Sequence, residues 1–149
     1  MLPPVKILFL CTGNSCRSQM AEGWVAHLLG GEFEARSAGV DPGQLDPWAV
    51  AVMTEAGVDI SHQRAKGVSE VLATPFDLVV AVCDHARESC PVFPGQVKMV
   101  HRAFDDPPHL TRDISDESDR LAIYRRVRDE IRAFVETLPD SLPKSEAST

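Results

Sequence analysis

The sequence predicts an α/β fold, a single domain built on a four-stranded parallel sheet flanked by helices. Three observations point there. Short apolar runs without polar alternation recur along the chain, as strands buried on both faces require. Stretches with apolar residues at helical spacing alternate with them, the pattern of a sheet wound with crossover helices. And 149 residues, with no internal repeat and no long linker, is the size of one domain.

Residues 5–10 (Val5, Lys6, Ile7, Leu8, Phe9, Leu10) are the first such run, and residues 11–17 turn the chain around Gly13. Residues 18–29 carry Met20, Trp24, Val25, Leu28 and Leu29 on a helical repeat, stopped by Gly30 and Gly31. Residues 33–40 predict a second strand, ending at Gly39 and the turn residues Asp41, Pro42 and Gly43. Asp46 and Pro47 open a helix that runs through Val50, Val52, Met53 and Ala56 to Gly57. Proline in the first turn of a helix removes no hydrogen bond. Residues 76–82 form a third buried-type strand with Cys83 directly after it, and residues 97–100 a shorter fourth. From Asp119 onward Leu121, Tyr124, Val127, Ile131, Phe134, Val135 and Leu138 mark a long amphipathic helix. Asp116, Glu117 and Asp119 at its start suit the helix dipole. The domain is read as residues 1–138. Residues 139–149, rich in proline and serine without an apolar period, are expected to be a disordered tail.

Composition excludes several classes of function. Apolar residues make up 44% and charged residues 25%, an ordinary globular balance. Fifteen basic against 22 acidic side chains leave a net charge of −7, which argues against nucleic acid or a membrane as partner. The apolar stretch at residues 7–11 falls far short of the ~20 residues of a membrane helix. The first residues also lack the order of an export signal. The chain is therefore expected in the cytoplasm, where Cys11, Cys16, Cys83 and Cys90 stay reduced. Four cysteines without two CxxC pairs indicate neither a disulfide scaffold nor a zinc ribbon. The arginines at 125, 126, 128 and 132 read as a solvated helix face, and Trp24 and Trp48 as core residues.

A parallel sheet gathers ligands beyond the carboxyl ends of its strands. Cys11 and Cys83 each follow such an end, so the fold can bring them to one edge. Cys11, Thr12, Gly13, Asn14, Ser15, Cys16, Arg17 and Ser18 run from a strand end into a helix start. A helix start offers unpaired N–H groups and the positive end of its dipole to a tetrahedral oxyanion. Gly13 lets the backbone turn so that N–H groups converge. Arg17 adds a planar, permanently charged fork for two oxyanion oxygens. Such surroundings favour the thiolate, the attacking form of a cysteine, and Ser18 can add a hydrogen bond to the sulfur. A lone cysteine at a strand end is more often a packing residue. The coincidence of strand, glycine, arginine and helix start favours Cys11 as a nucleophile.

The run from Cys11 to Trp24 resembles the signature loop of the low-molecular-weight tyrosine phosphatase superfamily and, within it, the thioredoxin-coupled arsenate reductases. The resemblance continues through Ser37, Ala38 and Gly39, residues 78–90, residues 104–107 and the helix around residues 125–131. It covers nearly the whole chain except the tail, in matching order. It implies a four-stranded parallel sheet of flavodoxin-like winding, arsenate as substrate, thioredoxin as electron donor, no cofactor, and a monomer.

Reduction needs two electrons, and paired thiols are the simplest source. Cys83 and Cys90 supply such a pair. The resemblance implies the order of events. Cys11 attacks arsenate in the loop, and water leaves with help from an acid. Cys83 attacks the Cys11–arsenic adduct, releasing arsenite and forming Cys11–Cys83. Cys90 then attacks Cys83, leaving Cys83–Cys90 for thioredoxin to reduce. On a straight helix Cys83 and Cys90 would stand about 10 Å apart along the axis, beyond the ~7 Å Cα limit of a disulfide. Pro91 also biases Cys90 away from helical geometry. Oxidation is thus expected to rearrange this segment. Packing, or zinc held by Cys83, His85 and Cys90, are the alternatives, and the zinc set has no evident fourth ligand. Cys16 is read either as packing or as the partner of an off-pathway disulfide with Cys11.

Phe104, Asp105, Asp106 and Pro107 resemble the family's acid loop, in which the aspartate before proline is the acid. That selects Asp106. Without the resemblance, Asp105 and Asp106 read as turn or cap residues. Asn14 is expected to fix the loop through its side chain, with support from Ser37. Some relatives hold potassium beside the loop, and Asn14, Glu22 and Ser37 match that site. Here the downstream stretch brings Arg64 and Lys66, whose charge is expected to occupy the space, so no metal is assigned. A phosphatase using Cys11, Arg17 and Asp106 is the alternative function. It would want tyrosines after the acid loop, whereas the only tyrosine, Tyr124, has core-like spacing. A non-enzymatic oxyanion-binding module would leave Cys83 and Cys90 without a role.

Overall fold

The structure, a computed structural model, describes residues 3–82 and 97–141. The expectations for Cys83, Cys90 and residues 142–149 lie outside them. In chain order the elements are β1 (Val5–Cys11), α1 (Arg17–Leu29), β2 (Phe33–Gly39), α2 (Pro47–Glu55), a 3₁₀ turn (Val68–Glu70) and β3 (Leu78–Ala81). There follow β4 (Lys98–His101), α3 (Pro107–Thr111), α4 (Glu117–Glu136) and α5 (Leu138–Ser141). The strands form one sheet in the order β2-β1-β3-β4, and every neighbouring pair is parallel.

β1 is an interior strand, as its unbroken apolar run requires. Ile7, Leu8, Phe9 and Leu10 are all fully buried, so both faces of the strand are covered. Each such side chain contributes about 1.5–3 kcal/mol on leaving water. β3 is buried along its whole length, whereas β4 is a mostly exposed edge with Met99 open to solvent. α1 lies against β1 and β2, and α4 packs on α1 and α2. The first two turns of α1 are buried almost all round, from Arg17 to Val25. Gly23 makes that possible, because a Cβ there would stand 2.5 Å from Ile60 Cγ2. Its cost to helix propensity, about 0.5–1 kcal/mol relative to alanine, is offset by this close approach.

Three details differ from the sequence reading. α3 forms where a turn reading competes, because Pro107 is at ease in a first helical turn behind Asp106. α5 carries helix into residues 139–141, which the sequence assigns to a tail. The arginines of α4 are not simply a solvated face. Arg125 and Arg128 pair with Glu55 of α2, Arg126 pairs with Asp105, and Arg132 stacks over Trp24. Among the described residues, no helix is long and apolar enough to cross a membrane.

The topology fixes where a site belongs. From β1 the chain goes to β2 on one side and later to β3 on the other, so the order reverses at β1. The crevice beyond the carboxyl ends of β1 and β3 is the switch point of such a sheet. Cys11 is the last residue of β1, and Val82 follows the last residue of β3.

Candidate active site

Beyond β1 the backbone of residues 12–15 folds into a loop whose carbonyl oxygens are tied outward. Thr12 O accepts from Asp41 N (2.8 Å), Gly13 O from Gly43 N (2.9 Å) and Ser15 O from Asp46 N (2.9 Å). Asn14 O accepts from Gln19 Nε2 (2.8 Å). In a planar peptide the N–H of the next residue points opposite to the carbonyl. Accordingly the Gly13–Asn14 peptide, whose carbonyl is bound by Gly43 N, turns its N–H to Cys11, with Asn14 N–H donating to Cys11 Sγ at 3.2 Å. Floor space comes from Gly39, the register partner of Cys11. A Cβ there would stand 2.7 Å from Thr12 O and 2.8 Å from Asn14 N.

Asn14 has a φ of 50° and is fully buried. Asparagine tolerates this left-handed conformation better than most residues, but it persists only where neighbours over-determine it. Asn14 Nδ2 donates to Ser18 Oγ (2.8 Å), and Oδ1 accepts from Lys66 N (2.9 Å) and Gln19 Nε2 (3.1 Å). Ser18 Oγ also shares a hydrogen bond with Cys11 Sγ, 2.9 Å away, in which either group can donate. Behind the loop, Ser37 Oγ donates to Glu22 Oε1 (2.5 Å), and Lys66 Nζ stands 3.8 Å from the same oxygen. Burial pulls the Lys66 ammonium below its ordinary range, opposed by the nearby Glu22 charge.

Arg17 opens α1 and is largely buried. One guanidinium nitrogen donates to Phe104 O (2.9 Å), and the other lies 3.5 Å from Asp106 Oδ2. The loop carrying Asp106 is hung from the end of β3, where Phe104 N donates to Val82 O (3.1 Å). On its far side Arg126 holds Asp105 at 3.0 Å. The structure thus gathers Cys11, Asn14, Arg17, Ser18 and Asp106 at one end of the sheet. Cys16 is a buried free thiol at the helix start. Burial first, then the charges of Asp46 and Cys11, push it well above the usual thiol range, with Arg17 opposing.

The sequence matches the low molecular weight phosphotyrosine protein phosphatase family over residues 6–148. The chain belongs to that family. The arsenate reductase of Bacillus subtilis (strain 168) is 46% identical over 135 residues, which span 88% of this chain and 95% of the relative. The solved structure titled "An arsenate reductase in the phosphate binding state" matches with a TM-score of 0.74 at 30% identity, over 93% of this chain and 99% of the other. A thioredoxin-dependent arsenate reductase of Corynebacterium glutamicum matches with a TM-score of 0.67 at 25% identity, over 94% and 64% of the two chains.

In this phosphotyrosine phosphatase family member, a cavity of about 310 Å³ opens beside the loop at Ser15, between Leu45, Pro108, Arg120 and Tyr124. It reaches neither Cys11 nor Arg17. Tyr124 is buried, and its hydroxyl donates to Asp46 Oδ2 (2.6 Å). Burial and that hydrogen bond push the phenol well above its ordinary range, so it remains protonated. Sequence reasoning misses Gln19, Gln63, Asp46 and Arg126. Gln19 could have been found: Arg17, Ser18 and Gln19 are three successive polar residues where an amphipathic helix would place an apolar face. Gln63, which donates to Gln19 Oε1 (2.7 Å), leaves no such trace.

Proposed function

We propose that this chain reduces arsenate to arsenite, with Cys11 as nucleophile, Arg17 and the loop N–H groups as oxyanion cradle, and Asp106 as acid. The observation that carries the choice of arsenate is the 46% identity to an arsenate reductase across nearly all of both chains. The geometry supports the first step. Arsenate seated on inward N–H groups places its arsenic above Cys11 Sγ, and the leaving oxygen takes a proton from Asp106 and departs as water. Cys83 then attacks the sulfur of the Cys11–arsenic adduct. The S–As bond breaks, its electron pair stays on arsenic, and arsenite leaves with Cys11–Cys83 behind. Cys90 attacks Cys83 and frees Cys11. In sum one oxygen leaves as water, arsenic gains two electrons, and two thiols become the Cys83–Cys90 disulfide, which thioredoxin dithiol reduces.

The test is arsenate-dependent NADPH oxidation with thioredoxin and its reductase, run for the native chain and each single cysteine variant. Cys11→Ser is expected to lose all turnover. Cys90→Ser should release one equivalent of arsenite and stall with a Cys11–Cys83 bond visible by peptide mass spectrometry. Sustained turnover by Cys90→Ser would sink the relay. A second reading, hydrolysis of phosphate monoesters, is favoured by the family match and by the Arg17–Asp106 pair at the start of the helix that follows Cys11 and its loop. A chromogenic phosphate ester, assayed beside arsenate, separates the two by relative kcat/KM.

A further inference from the structure

The potassium site that the family resemblance suggests does not fit this chain. Of its matching groups, Asn14 Oδ1 accepts from Lys66 N and Gln19 Nε2, and Ser37 Oγ donates its hydrogen to Glu22. That same Glu22 oxygen, Oε1, also faces the Lys66 ammonium at 3.8 Å, so the carboxylate already has a cation beside it. Both side chains are largely withdrawn from water, 14% exposed for Lys66 and 19% for Glu22. A second cation there would meet a fixed positive charge in a poorly screened setting. Of the two other cations that act on Lys66, Arg64 turns away to Glu70 at 2.5 Å and is 68% exposed, and Arg36 is exposed on β2.

We propose that Lys66 is the built-in cation of the nucleophile loop, a positioning residue whose ammonium replaces a bound monovalent ion. Its placement carries the argument. Lys66 N donates to Asn14 Oδ1 (2.9 Å), and Lys66 O accepts from Gly39 N (2.9 Å), beneath Cys11. The ammonium ties the same residue to Glu22, and through Glu22 to Ser37 on β2. Residue 66 is therefore held at its backbone and at its side-chain tip. What it holds is Asn14 at its left-handed φ, which aims one N–H at Cys11 Sγ and keeps Ser18 Oγ in reach of it. Without the ammonium, Glu22 is left partly buried against Ser37 and loses the ion pair that Lys66 supplies. The loop then loses the anchor that fixes Asn14.

The test reads the nucleophile directly and needs no arsenate, so its failure is separable from failure of the proposed reduction, on whose site it rests. Alkylation of Cys11 by iodoacetate is followed by peptide mass spectrometry at constant ionic strength in sodium, potassium or methylammonium chloride. For the native chain the rate is expected to be the same in all three. Lys66→Ala should react about 10-fold more slowly in sodium, by the usual sensitivity of reacting groups to small misplacement, and recover in potassium or methylammonium. Several-fold stimulation of the native chain by potassium would overturn the proposal. So would a Lys66→Ala rate equal to native, or a slow rate that no cation restores while the melting temperature is unchanged. If Lys66→Ala does not fold, the native comparison and Lys66→Met decide in the same way.

Discussion

Asp106 occupies the N-cap position of α3, yet its carboxylate makes no capping hydrogen bond and instead faces Arg17 at 3.5 Å. A plain cap residue would aim at the N–H groups of its own helix. The same geometry makes Asp106 a competitor of any oxyanion for Arg17. Asp106→Asn should therefore bind phosphate more tightly in calorimetry while lowering kcat about 10²–10⁴-fold, the range of a lost general acid. An unchanged rate would remove Asp106 from the mechanism. Gly39 makes the complementary point about space. An added methyl would meet Thr12 O, Asn14 N and Gly13 C at 2.7–2.9 Å, all backbone atoms that cannot swing aside. Gly39→Ala should cost about 1–3 kcal/mol in urea unfolding and slow Cys11 alkylation. A variant of native stability would mean that the loop gives way more easily than its hydrogen bonds suggest.

α2 and α4 are joined by charge as well as by packing. Arg125 grips Glu55 with two hydrogen bonds (2.8 and 2.6 Å), and Arg128 adds a third contact at 3.3 Å. The Arg125 hydrogen bond above all holds the Glu55 carboxyl below its ordinary value of 4.5. A depressed carboxylate stabilises the fold fully above its unfolded pKa, and that contribution fades as pH falls through the lower folded value. Glu55→Gln should thus lower Tm at pH 7 by less than about 4 °C, since the pair is exposed and screened. The difference should shrink as the scans are taken into acid below pH 4.5. A gap that persisted or widened in acid would rule out this ion pair as its source. At this scale β1, α1, β2, α2, β3, β4 and α4 are all legible in the sequence, because each carries a local apolar period or a cap. α3 and the 3₁₀ turn are not, being too short to show one.

Across the whole molecule, legibility follows distance along the chain. Cys11, Arg17 and Ser18 can be read together because they are neighbours in a strand–loop–helix run. Asp106 is reached only through family resemblance, since nothing local distinguishes it from a turn residue. Gln63, Arg126 and Asp46 act through contacts that join distant segments, and no spacing rule encodes those. That separation also sets an order of events in time. The Arg17–Phe104 bond spans 87 residues and the Asn14–Lys66 bond spans 52. Helix α1 can form within its own sequence, but these closures must wait for distant parts of the chain to meet, and non-local pairing is slow. Refolding chains should regain helical signal before the contacts around Cys11 are complete. The chemistry of one sulfur becomes a clock for the last stage of assembly.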